Sequence, residues 1–140
     1  PALLQETGKF VLADLILNEK KSDLFKSKIA SGESIESIER ELIGSTTSQI
    51  TAQIFKHWKL SDNLINMIEN VDDISKASDN YKRKSQILDV IKTACNISEP
   101  LSDASIDRAL KKATAYGFDA SVLKNAIQAL QDRLLNEEAK

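Results

Sequence analysis

Apolar residues recur at intervals of three and four along almost the whole chain, and β-branched residues never alternate strictly with polar ones. An amphipathic helix has this spacing because its period is 3.6 residues, whereas a half-buried strand has a period of two. Only four glycines and two prolines interrupt the pattern. The sequence therefore predicts an all-α bundle of about seven to eight helices.

Cap residues and glycines divide this pattern into separate helices. Ser34 is a favourable N-cap, Gly44 ends the helix that follows it, and Asp119 caps the last helix. The predicted helices cover residues 2–18, 22–30, 34–44, 46–59, 62–70, 81–96, 102–116 and 119–136, and a short turn of helix with a loop covers 72–80. In the fourth helix one face is predicted to carry Thr47, Ile50, Ile54 and Trp58. We expect a single domain over 1–140, with the motif-bearing helices in 1–98 and a terminal helical pair in 102–138.

Composition limits the partners that the chain can bind. Its net charge of −2 gives no electrostatic footprint for nucleic acid or for an anionic membrane. The densest basic run, Lys82 to Lys84, is either a small phosphate-binding patch or, as we prefer, a solvated helix start. No apolar run approaches the roughly 18 residues of a membrane span. The only cysteine, Cys95, is predicted to be a small buried thiol and indicates a reducing compartment, so we expect a cytoplasmic protein.

Side chains suited to catalysis are scarce. Zinc and two-metal hydrolases use several histidine, cysteine and carboxylate ligands, but this chain has one histidine, His57. The carboxylate nearest to it along the following sequence, Asp62, lies across a helix break, so His57 is predicted to be a partly exposed structural residue and not a general base. No phosphate-binding glycine loop or nucleophile elbow occurs. The sequence predicts no enzyme, no metal ion and no cofactor.

Two acidic groups could in principle bind Mg²⁺ or Ca²⁺, which prefer oxygen ligands. One is the set Glu33, Glu36, Glu39 and Glu41 around Arg40, which is predicted to be a solvated helix face. The other is the pair Asp72 and Asp73, which is predicted to be the exposed start of a loop.

Two segments resemble a known family. LLQETGKFVL at 3–12 is similar to the metal-binding helix of HD-type phosphohydrolases, which reads Leu-Leu-His-Asp-Ile-Gly-Lys followed by apolar residues. ERELIG at 39–44 and WKL at 58–60 resemble the downstream part of the HDOD family, the HD-related output domains of bacterial signalling proteins. The resemblance implies an HD-domain-like helical bundle that serves as a regulatory module without demonstrated hydrolase activity.

The chain differs from the family's motif at the positions of the metal ligands. Gln5 and Glu6 replace the His-Asp pair, Thr47 replaces the next histidine, and Asp72 falls near the later histidine pair. Amide and hydroxyl groups do not replace imidazole as strong ligands. We interpret the four positions as a vestigial metal cleft, which either holds a small ligand or is closed by a hydrogen-bonded polar plug.

The residues that the resemblance retains are structural. Gly8 and Gly44 are expected at tight places in the packing, and Trp58 is expected to be a core anchor. Retention of scaffold residues after loss of the ligands is typical of a domain that binds and does not catalyse. We therefore predict a non-catalytic signal-transduction module that acts on protein partners or on fused signalling domains.

The family's complete domain has a preceding helical half, so we expect this chain to be the C-terminal part of a longer signalling protein. The apolar faces of the first and fourth helices would then be exposed or covered by a second copy in a homodimer. One alternative is a divergent metal-dependent HD phosphohydrolase that acts on nucleotides or cyclic dinucleotides through Glu6 and Asp72. Another is an unrelated helical adaptor, in which Glu6 would not lie near Thr47 and Asp72.

Overall fold

A computed structural model describes residues 4–96 and 99–138, and throughout these ranges the regular structure is helical. The prediction of an all-α chain with seven to eight helices is confirmed for the part described. The elements in chain order are α1 Lys9–Asn18, α2 Ser22–Ala30, α3 Ile35–Ile43, α4 Thr47–His57, α5 Asp62–Glu69, a 3₁₀ turn Ile74–Lys76, α6 Asp79–Ala94, α7 Asp103–Ala115 and α8 Ala120–Glu138.

Several helix ends lie where the cap residues predict them. The Ser34 hydroxyl accepts a hydrogen bond from the first turn of α3, and the Asp119 carboxylate does the same at the start of α8. Gly44 ends α3 with a φ of 82°, a left-handed conformation that glycine adopts without steric cost. No atom lies within 4 Å of the place where a Gly44 side chain would begin. The expectation of tight packing at Gly44 is therefore wrong, and its backbone conformation explains the glycine.

The first helix begins later than predicted. Leu4 to Gly8 form turns, and α1 starts only at Lys9. The Thr7 amide and hydroxyl both donate to the Leu4 carbonyl, and the Gly8 amide donates to the Thr51 side chain. Because the Gly8 amide is bound to another helix, it is not available for the regular helical ladder. Residues 2 and 3 of the predicted helix lie outside the described residues.

The chain divides into two compact units, Pro1–Leu88 and Asp89–Lys140. In the first unit α1 contacts α2, α3 and α4, and α4 contacts α5. Its largest apolar cluster comprises Ala52, Phe55, Ile65, Ile68, Val71 and Leu88. The division falls within α6, earlier than the boundary near residue 98 that the sequence predicts.

Trp58 is not the core anchor that the sequence predicts. Its side chain is 59% exposed and stacks on Phe55 with a ring-centroid distance of 6.1 Å. Phe55 is buried and packs in the core where the sequence places Trp58. The buried face of α4 carries Thr47, Ser48, Thr51, Ala52 and Phe55, so it is rotated from the predicted face.

The second unit packs the end of α6 against α7 and α8. Its core cluster comprises Val90, Ala94, Ala109, Ala113 and Ile127. Cys95 follows the last residue of α6 and is exposed, so the prediction of a buried thiol is wrong: the Ala94 methyl takes the buried position instead. Within the described ranges, no helix is both long enough and apolar enough to cross a bilayer.

A cluster of hydrogen-bonded polar side chains joins α6 to α7 in the second unit. The Asp89 carboxylate accepts from the Tyr116 hydroxyl at 2.6 Å and from Lys112 Nζ at 2.8 Å, and Lys112 also contacts Thr93. Burial of the Tyr116 ring, together with the hydrogen bond to Asp89 and its negative charge, raises the pKa of the phenol.

We expect this raised pKa to make the second unit sensitive to alkali. The unfolded phenol loses its proton near pH 10 while the folded phenol keeps it, so the contribution to stability is complete below about pH 10 and is lost as the pH rises further. Tyr116→Phe should reduce stability at neutral pH by about 1 kcal/mol and flatten the decline above pH 10. Urea unfolding of both proteins across this range measures the difference, and parallel declines would contradict the assignment.

Candidate functional site

The first two turns of α4 bring together three of the four positions that the sequence assigns to a vestigial metal cleft. Thr47 is the first residue of α4. Gln5 and Asp72 reach the same part of this helix through hydrogen bonds with Thr51 and Thr46, respectively. The fourth position, Glu6, is directed to Lys9, with 2.7 Å between the carboxylate and the ammonium group.

The turn before α1 is bonded to α4 through one hydroxyl group. The Thr51 hydroxyl accepts from the Gly8 amide at 2.7 Å, and its oxygen lies 3.0 Å from the Gln5 carbonyl oxygen and 2.8 Å from the Thr47 carbonyl oxygen. All of these atoms are in buried surroundings. Thr51 therefore satisfies backbone groups of both segments, as buried polar groups require.

Gly8 is needed because the two backbones approach so closely. A Cβ atom on Gly8 would lie 2.5 Å from the Thr47 carbonyl oxygen and 2.8 Å from the Thr51 nitrogen. The backbone of Gly8 has an ordinary right-handed conformation, so the requirement is steric and not conformational. The expectation of a tight place at Gly8 is confirmed.

Glu39 belongs to this candidate site, and the prediction that it lies on a solvated helix face is wrong. It is only 2% exposed, and its carboxylate accepts from the Thr47 amide at 2.7 Å and from the Thr47 hydroxyl at 2.6 Å. A carboxylate at a helix N-terminus satisfies an unpaired amide and interacts favourably with the helix dipole. The position of Glu39 between Ile38 and Leu42, which are both buried, is the sequence signal that separates it from the solvated glutamates.

Asp72 closes the other side of the α4 N-terminus. Its carboxylate accepts from the Thr46 hydroxyl at 2.7 Å, and Thr46 also forms a capping box with Gln49. Asp72 and Asp73 are both partly buried, which contradicts the prediction of an exposed loop start. Asp73 instead pairs with Lys76, and the hydrogen bond from Ser75 lowers the pKa of its carboxyl group.

The residues present do not fit a catalytic dication. The Thr47 hydroxyl donates to Glu39 and the Asp72 carboxylate accepts from Thr46, so each of these two side chains is already engaged in a hydrogen bond within the protein. Amide and hydroxyl oxygens are in any case poor ligands for transition metals. Among the residues described, no three histidine, cysteine or acidic side chains are placed to hold a metal ion.

Two further polar features belong to this region. The Gln5 side chain is 4% exposed, and its Oε1 atom has no hydrogen-bond donor among the described residues. The buried Ser48 hydroxyl likewise has no hydrogen-bond partner among them.

His57 is exposed at the opposite end of α4, about 15 Å along the helix axis from Thr47. His57 therefore does not contribute to this site.

Comparisons with known proteins agree with the sequence pattern. Residues 1–74 match the family described as the HDOD domain. The crystal structure of a virulence factor (cj0248) from Campylobacter jejuni subsp. jejuni is similar in fold, with a TM-score of 0.63 and 20% sequence identity. The match covers 86% of this chain and 46% of that one, so the chain spans less than half the length of the protein it resembles. No curated protein matches the chain significantly.

Proposed function

The chain belongs to the HDOD family, and from this premise we propose that it is a non-catalytic regulatory module that acts by binding other proteins. The family assignment contradicts the interpretation as an unrelated helical adaptor. The proposed partners are separate proteins or fused signalling domains, in keeping with the expectation from the sequence.

One observation carries the proposal: the buried pair of Glu39 and Thr47. In this pair the Glu39 carboxylate binds the amide and hydroxyl groups of Thr47, which stands at the position where the resemblance expects a metal-binding histidine. Together with the bond between Thr46 and Asp72, it joins α3, α4 and the segment after α5. This supports the interpretation of the cleft as a polar plug that stabilises the scaffold.

The distribution of apolar side chains supports a role in binding. Phe10 and Leu17 on α1 are exposed, and so are Leu24 on α2 and Trp58 after α4. Phe10 and Leu17 are seven residues apart and so lie on the same side of α1, and exposed apolar side chains that share one surface are commonly found at sites of protein contact.

Turnover measurements test this proposal against a divergent phosphohydrolase. The folded chain is incubated with nucleotides or cyclic dinucleotides and added Mn²⁺, and the products are quantified by chromatography. We expect no product above that of the buffer control, because Thr47 and Asp72 are bonded to Glu39 and Thr46 and the cleft has no histidine to bind a catalytic metal ion. Hydrolysis that is lost in a Glu6→Gln variant with an unchanged helical spectrum would contradict the proposal.

A further inference from the structure

We draw no further inference here: the strongest candidate, the cluster of buried polar groups beside the first turns of α4 in which the Gln5 Oε1 atom and the Ser48 hydroxyl have no hydrogen-bond partner among the described residues, belongs to the site already described, and both atoms are covered by protein, which leaves no surface for a ligand to reach.

Discussion

Gly8→Ala is expected to lower the free energy of unfolding of the first unit by about 3 kcal/mol. The new Cβ would lie 2.5 Å from the Thr47 carbonyl oxygen and 2.8 Å from the Thr51 nitrogen, which belong to a helix backbone and cannot rotate away. Movement of the turn away from α4 would also break the buried hydrogen bond from the Gly8 amide to the Thr51 hydroxyl. Urea unfolding followed by fluorescence of Trp58, the only tryptophan, measures the change.

Gly44→Ala is the matched control for this prediction. Gly44 has open space around it but a φ of 82°, so alanine there should cost only about 1 kcal/mol. The larger loss is thus expected at the glycine with the ordinary backbone angle. If Gly44→Ala destabilised the unit as much as Gly8→Ala, or more, the close approach of the turn to α4 would be wrong.

Glu39→Ala is expected to have a similarly large effect, about 3 kcal/mol. The substitution leaves the Thr47 amide and hydroxyl groups buried at the start of α4 without their acceptor, and buried polar groups without partners are costly. Glu39→Gln keeps one acceptor oxygen and should lie between the alanine variant and the native protein. Chemical unfolding of the three proteins under the same conditions provides the comparison.

Glu41→Ala is the control on the same helix. Glu41 is exposed and pairs with Lys28 at 2.9 Å, a surface ion pair of the kind that contributes little to stability. Its removal should change the free energy of unfolding by less than about 0.5 kcal/mol. Equal effects at the two glutamates would mean that Glu39 is not the buried acceptor at the α4 N-terminus.

Local signals in the sequence are sufficient to predict that the helices exist and in which order they follow one another. Ser34, Gly44 and Asp119 act through bonds within a few residues, so their effects can be read from short stretches of sequence. The start of α1 could not be predicted in this way. It depends on a hydrogen bond between Gly8 and Thr51, which are 43 residues apart.

The candidate site, too, could be predicted only where short sequence motifs identify its residues, and not where contacts between distant segments decide it. The family resemblance identified Thr47 and Asp72, but not their partners Glu39 and Thr46. Glu39 was misassigned because residue type alone favours exposure of a glutamate, whereas the helix face on which it lies is buried. Trp58 was misassigned for the opposite reason, since a large aromatic side chain at a helix end can stack on a buried neighbour and stay exposed.

The content of bound metal tests the central claim most directly, namely that Thr47 and Asp72, at two of the family's ligand positions, are bonded to Glu39 and Thr46 and that the residues present do not fit a catalytic dication. The purified chain is incubated with Fe²⁺, Mn²⁺ or Zn²⁺ and desalted, and bound metal is measured by elemental mass spectrometry. Glu6→Ala and Asp72→Asn are measured in parallel. The account predicts far less than one ion per chain, with no difference among the three proteins. About one ion per chain that is lost in either variant would contradict it.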